Sequence, residues 1–409
     1  MSLSLALRVF IPFGLGYFLA STFRSINSVI APDLVRDLGL SASELGFAIS
    51  AFFLSATLFQ IPYGILLDRY DPRKIYAGFL LLCALGAVIV SISQEIVLLS
   101  LGRALIALGT TASAVTSFKV FSMWYQPERL PTANGLALAA GGLGMMAGTA
   151  PVEMALQVID WRQVHLIIAA LITLGAAIVL VVAPRKSSKS TGITLIEQIR
   201  GLSIILKSAK FWRVAPLLMT VIGVYAGFPA LWAGPWVRDV GGFNNLETAN
   251  LLFFMAGAMT VSGALTGVAI SLARTFGLRP MDVAVITAIL FTLVVFALYL
   301  QWNSSHIVII MIWILFGFLA PFNMVIYAAL SPQFPKEFTG RLNACLTLSW
   351  FIGGFASQNI YGWALDQFPS NNGSYDTKGH QLGMGIMVIL LAVSLFWYFI
   401  ASLVSKKRN

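Results

Sequence analysis

Residues 44–93 read ELGFAISAFFLSATLFQIPYGILLDRYDPRKIYAGFLLLCALGAVIVSIS. Two apolar runs, 44–67 and 73–93, flank the polar segment from Asp68 to Pro72. About 20 apolar residues in helical form cross the hydrocarbon core of a bilayer. Neither run alternates as a barrel strand does. The stretch reads as two membrane helices joined by a tight polar turn, and it sets the scale for the rest of the chain.

Ten further runs match that scale, at roughly 7–30, 97–121, 132–158, 161–183, 212–235, 247–272, 281–301, 306–330, 341–365 and 383–404. The expected fold is an all-α membrane protein of twelve transmembrane helices. The first run has no small-residue cleavage site and is too long for a signal peptide. Of 409 residues, 58% are hydrophobic and 10% charged, against about 25% charged in a soluble protein. So little charge excludes a soluble surface, and such hydrophobicity excludes disorder. Cys83 and Cys345 lie far apart in apolar runs, and there are three histidines. No CxxC, HExxH or zinc-ligand spacing occurs, so neither a metal site nor a cofactor is expected. No GxxxxGK[ST] loop occurs, which excludes a nucleotide-driven pump. No Ser/His/Asp grouping points to an enzyme.

The net charge is +10, from 26 Lys and Arg against 16 Asp and Glu. Arg36, Arg162, Arg238 and Lys378 fall in one set of loops, and Arg24, Arg103 and Lys119 fall inside runs. The other nineteen lie at the termini and in the alternate loops. By the positive-inside rule both termini are expected in the cytoplasm. The absence of long eukaryote-style termini suggests a bacterial inner membrane. This bias accounts for the charge without a nucleic-acid partner. The expected partners are a small-molecule substrate, protons and membrane lipids, with the chain a monomer.

The longest polar stretch, 184–211, divides the runs six and six. Residues 185–192 read as a flexible linker. Leu195, Ile196, Ile199, Leu202 and Leu206 follow at helical spacing, interleaved with Arg200, Lys207 and Lys210. That pattern predicts an amphipathic helix on the cytoplasmic membrane surface. The expected units are therefore 1–183, the linker 184–211, and 212–409. The halves also repeat. Val35-Arg36-Asp37-Leu38-Gly39 ends run 1, and Val237-Arg238-Asp239-Val240-Gly241 ends run 7. Glu128, Asn134 and Gly144 near run 5 match Glu337, Asn343 and Gly353 near run 11. A six-helix unit duplicated in parallel can rock about a central site, which is alternating access.

Between runs 2 and 3, Gly64 permits close helix approach. Asp68 sits at a helix end among Arg69, Arg73 and Lys74, where an acid can pair with a cation or a helix N-terminus. It reads either as a state-dependent latch or as an incidental acid in a basic loop. The segment resembles the G-x-L-x-D-R-x-G loop of the major facilitator superfamily through Gly64, Leu66, Asp68, Arg69, Arg73 and Lys74, with Asp71 where the family has glycine. Arg103 and Gly109 resemble the family's second motif, and Ala107 stands at a usual glycine position. Gly144, Gly148 and Pro151 form a loose version of its glycine-proline motif, and Asp160-Trp161-Arg162 is also typical. The resemblance covers the whole chain. It implies a secondary transporter with two pseudo-symmetric six-helix bundles, in which spans 1, 4, 7 and 10 line the cavity.

An ionisable side chain at the bilayer centre costs about 2.5–3.5 kcal/mol on the insertion scale, so each one demands a role. Arg24 lies seven residues before the end of run 1, roughly 10 Å below the boundary. Arg103 and Glu153 are expected at a similar depth. One reading is a buried ion pair tying helices together. The other assigns Arg24 to a substrate anion, whose oxygens its fork can hold in pairs, and assigns Glu153 with Arg103 to proton coupling. Lys119 either snorkels to the headgroups or meets the substrate. In the second half, Tyr225, Trp313 and Asn323 are expected to form an aromatic and amide wall opposite the arginine. Phe228-Pro229 and Ala320-Pro321 are expected to break their helices. The leading expectation is proton-coupled symport of a small organic anion or zwitterion, such as a carboxylic or amino acid. The alternative is a proton-antiport exporter of drugs or amphipathic metabolites.

Overall fold

A computed structural model describes residues 6–185, 195–300, 305–335, 338–368 and 374–406. The helices that realise the twelve runs are α1 (Ala6–Leu38), α2 (Ala42–Arg69), α3 (Pro72–Ser91), α4 (Ile96–Trp124), α5 (Pro127–Leu156) and α6 (Trp161–Val182) in the first half. The second half holds α7 (Ala215–Gly227 and Ala233–Asp239), α8 (Asn245–Thr275), α9 (Pro280–Tyr299), α10 (His306–Gln333), α11 (Thr339–Asp366) and α12 (Thr377–Lys406). Ten of them are long and apolar enough to cross a membrane. α7 falls short because it is divided. α11 has the length, but Ser349, Ser357, Gln358 and Asn359 make it more polar. The face with the described chain ends and the linker helix is here the terminal face; the opposite one is the far face.

Several helices are broken, and the breaks place the site. Span 1 turns at Phe23–Ser25, although its prolines, Pro12 and Pro32, lie on either side of that turn. α5 turns at Gly148–Thr149. The two breaks expected from proline occur: α7 unwinds from Phe228 to Trp232, and α10 tightens into 3-10 geometry over Ala320–Met324.

The sequence repeat has a spatial counterpart. A Cβ on Gly144 of α5 would meet the Phe18 carbonyl of α1, and one on Gly353 of α11 would meet the Met219 carbonyl of α7. Both glycines thus let two helix backbones touch. At the far face, Asp37 accepts hydrogen bonds from Trp161 Nε1 (3.0 Å) and Arg162 (3.2 Å) at the start of α6. Its repeat partner Asp239 accepts from Tyr375 N (3.1 Å) and pairs with His380 Nε2 (3.0 Å) at the start of α12.

The linker helix runs Leu195–Leu206. Leu202 and Ile205 are buried, and Gly201 abuts Arg341 at the start of α11. This face is therefore turned to the protein, while Leu206 is exposed. The linker residues 186–194, Lys336 and Glu337 lie outside the described residues. So do the side chains of Leu195, Ile196, Ile199 and Arg200.

The two bundles meet tightly toward the far face. Asp366 at the end of α11 accepts from Ala42 N (2.9 Å) and Ser43 N (2.8 Å), the first amides of α2. Ser41 accepts from the third, Glu44 N, so that helix start is fully capped. Asn359 donates to Ser50 (2.8 Å). Gly46, Gly234 and Gly362 each face a backbone carbonyl of the other bundle, from Gln358, Ser28 and Ala42 respectively.

Candidate functional site

Between the bundles lies a cavity of about 720 Å³. It runs from Ser28, at the sealed far end, to Gln60, Phe118, Ile270 and Ala328 in the half nearer the terminal face. Among the described residues its charged lining is Arg24 and Arg103, with no Asp or Glu. Aromatic rings from both bundles line it, among them Tyr17, Phe52, Tyr225, Tyr327 and Trp350.

The break in span 1 positions both arginines. Ending the helix at Thr22 frees the Phe23 carbonyl. Arg103 of α4 donates to it through both terminal nitrogens (3.4 Å each), and Asn27 donates as well (3.4 Å). A cation at a helix C-terminus is favourable on both dipole and hydrogen-bond grounds. Gly86 and Gly102 bring α3 and α4 into backbone contact, which fixes the neighbouring Arg103. Arg103 is 2% exposed, and both its hydrogen bonds go to the break in span 1. Arg24, inside the break, lines the cavity, and its guanidinium has no hydrogen-bond or ion-pair partner among the described residues.

Glu153 does not join these arginines. The charges acting on it are Arg238 of α7 and Asp33 of α1, near the far face. The expected common depth assumed unbroken helices, and the turns at Phe23–Ser25 and Gly148–Thr149 displace the two residues. Tyr225 does line the cavity, and the Arg24 charge reaches it. Trp313 and Asn323 do not. Trp313 is fully buried, stacked on Phe228 (5.7 Å, 9°) and edge-on to Trp236 (5.5 Å). Asn323 is fully buried and donates to Thr287 of α9 (3.2 Å). The 3-10 segment in α10 presents Pro321 and Met324 to the cavity instead, and Tyr327 lines it from the helical turn that follows. Tyr327 is held by Thr347 (2.9 Å) and by Trp350 Nε1 (3.2 Å). Gln60 and Gln358, amides inside apolar helices, also line the cavity, and Gln358 caps the Gly227 carbonyl at the α7 break (3.0 Å). Neither was among the residues expected to line the cavity; an amide inside an apolar run was the available signal.

The loop between α2 and α3 is a second cluster. Lys119 neither lines the cavity nor reaches for headgroups; it pairs with Asp68 (2.5 Å) and caps the Leu67 carbonyl (2.7 Å). Asp68 thus has a cation partner from α4 rather than from its own loop. Arg73 binds Asp71 (2.8 Å) and the Ala183 carbonyl at the end of α6 (2.8 Å). Arg69 is exposed. Gly64 makes no close approach, since a Cβ there would meet nothing within 4 Å. Asp71 caps α3 by accepting from Arg73 N (3.0 Å) at φ −58°, where no glycine is needed. Burial alone pushes its carboxyl up; the hydrogen bonds and charge of Arg73 outweigh this and hold it below the usual carboxylate range.

A probable sulfoacetate transporter of Cupriavidus necator (SauU) is 23% identical over 91% of this chain and 90% of its own. A probable galactarate/D-glucarate transporter of Bacillus subtilis (GudP) is 24% identical over 90% and 88%. Among solved structures, a point mutant of the nucleoside transporter NupG superposes with a TM-score of 0.77 at 12% identity, covering 96% of this chain and 99% of that one. A bacterial homolog of the human lysosomal transporter Spinster, in an inward-facing and unoccupied conformation, gives 0.73 at 18% identity over 98% of each chain. The sequence profile described as Major Facilitator Superfamily matches residues 13–358. With its two pseudo-symmetric bundles and central cavity, the chain belongs to the Major Facilitator Superfamily and is a transporter, not an enzyme.

Proposed function

We propose that the chain carries a small organic anion by alternating access, coupled to protons. The observation that carries this reading is the cavity's charge: among the described residues Arg24 is unpartnered there, and no acidic residue lines the wall. An anion neutralises Arg24. The ammonium of an amino acid would be desolvated without a counter-charge, which is costly, so a zwitterion is disfavoured. Relatives named for sulfoacetate and glucarate transport support the same class. Arg24 and Tyr225 are the proposed substrate ligands. The proposed domain limits are 1–183 and 212–409, joined by 184–211.

The excess of Lys and Arg on the terminal face supports placing that face in the cytoplasm. We also propose that the chain is a monomer in a bacterial inner membrane, with the cavity closed off at the outward face by the contacts between the bundles. Glu153 is the proposed proton carrier, with Arg238 as its charge partner, and the Asp68–Lys119 pair is the proposed element of the gating loop. A thermal-shift screen of purified protein against small organic acids, amino acids and hydrophobic cations tests the substrate class, because ligands that bind the folded state raise stability by mass action. Stabilisation by organic acids that Arg24→Gln abolishes supports the reading. Stabilisation only by cations or uncharged amphiphiles overturns it.

A further inference from the structure

Tyr17 is 7% exposed and lines the cavity, and its hydroxyl has no hydrogen-bond partner among the described residues. A buried tyrosine ordinarily finds a partner for its hydroxyl. The ring is held from behind: a Cβ on Gly141 of α5 would stand 2.7 Å from Tyr17 Cζ, so only glycine leaves room for it there. Tyr17 precedes Arg24 by seven residues on the same span, and both line the cavity. Tyr225 faces them from α7, in the other bundle, again with no hydrogen-bond partner for its hydroxyl. All three line the one cavity, and the Arg24 charge acts on both phenols, so the three groups form one cluster.

All three can donate, and the guanidinium can only donate. A group of unsatisfied donors on a cavity wall is complementary to a ligand rich in acceptors. We infer that Tyr17 is a substrate-binding residue, donating with Tyr225 to the same oxyanion head group, carboxylate or sulfonate, that Arg24 holds. Tyr17 and Tyr225 approach from opposite bundles, so the bound anion bridges α1 and α7. The inference rests on the anion reading above and adds a ligand and a geometry to it. Gly141 is then a positioning residue, setting where the phenol points.

The test is calorimetric titration of purified protein with sulfoacetate and with D-glucarate as probes. Tyr17→Phe keeps the ring and removes the donor. Its expected effect is about tenfold weaker binding of the probe that the wild type binds, the scale of one hydrogen bond to a charged group, with unfolding of the ligand-free protein unchanged. Gly141→Ala should weaken binding in the same sense, by displacing the ring. In a double-mutant cycle, Tyr17→Phe and Arg24→Lys should be non-additive, because both act on one head group. Wild-type affinity in Tyr17→Phe, or strict additivity with Arg24→Lys, would overturn the inference and leave the anion reading standing. Failure of the wild type to bind either probe or any other organic acid would overturn both.

Discussion

Replacing Asp366 should loosen the far face by a calculable amount. Its carboxylate accepts from Ala42 N and Ser43 N at 2.9 and 2.8 Å, across the seam between bundles. Both amides belong to the first turn of α2, where an anion is worth about 0.3–1 kcal/mol through the helix dipole. Asp366 is solvent-exposed, so each hydrogen bond sits at the modest end, about 1 kcal/mol. Asp366→Ala removes both bonds and the charge, a loss of about 2 kcal/mol, or about thirtyfold in the closed-to-open ratio. Asp366→Asn keeps one acceptor and should shift the ratio about fivefold. Ser50 is fully buried at the same seam, bound by Asn359 (2.8 Å). A Ser50→Cys reporter alkylated by a maleimide reads the open fraction when opening is fast compared with labelling. The rate should rise in the order Asp366, Asn, Ala, after subtraction of the slow labelling of buried Cys83 and Cys345. Equal rates in all three would show that Asp366 does not hold the bundles together.

Asp68→Asn should leave ligand affinity unchanged but slow transport, because it releases Lys119 from the α2 end; unchanged turnover in proteoliposomes would remove the pair from the gating cycle. Glu153→Gln should abolish accumulation driven by a pH difference while sparing substrate exchange, and accumulation that persists would put the proton carrier elsewhere. Arg103→Lys keeps a charge but loses the two-pronged donation to Phe23, so it should lower the unfolding temperature; lost binding at unchanged stability would instead make Arg103 a ligand. Trp313→Phe should likewise cost stability rather than affinity, since the indole is packed on Phe228 and Trp236, and a selective loss of binding would return Trp313 to the cavity.

The fold was legible because a bilayer imposes one length on every helix, so composition along the chain marks the spans. The repeat was legible at Val35–Gly39 and Val237–Gly241, where capping needs particular residues. Which way a side chain faces was much less so. In lipid, outer and inner helix faces are both apolar, and periodicity does not separate them as it does in water. Arg24 and Tyr225 were found because polar groups in cavity helices have few other places to go. Trp313 and Asn323 obeyed the same rule and still faced neighbouring helices, one filling a ring stack and the other reaching Thr287. Arg238 shows the limit most sharply. It matches Arg36 in the repeat, yet Arg36 is exposed and paired with Asp33 and Asp37, whereas Arg238 is half-buried with no ion pair among the described residues, and Asp239, Glu153 and Asp33 all act on its charge. Only the meeting of two unlike bundle faces distinguishes them.

Counterflow in proteoliposomes tests the central claim, that an unpartnered Arg24 in an acid-free cavity selects a small organic anion. Vesicles loaded with unlabelled sulfoacetate, D-glucarate, an amino acid mixture or a hydrophobic cation are diluted into a trace of the same labelled compound. The account predicts transient uptake for at least one organic acid, none for the amino acids or the cation, and loss of uptake in Arg24→Gln. Counterflow of the cation or of an amino acid, or of an organic acid undiminished by Arg24→Gln, would contradict it.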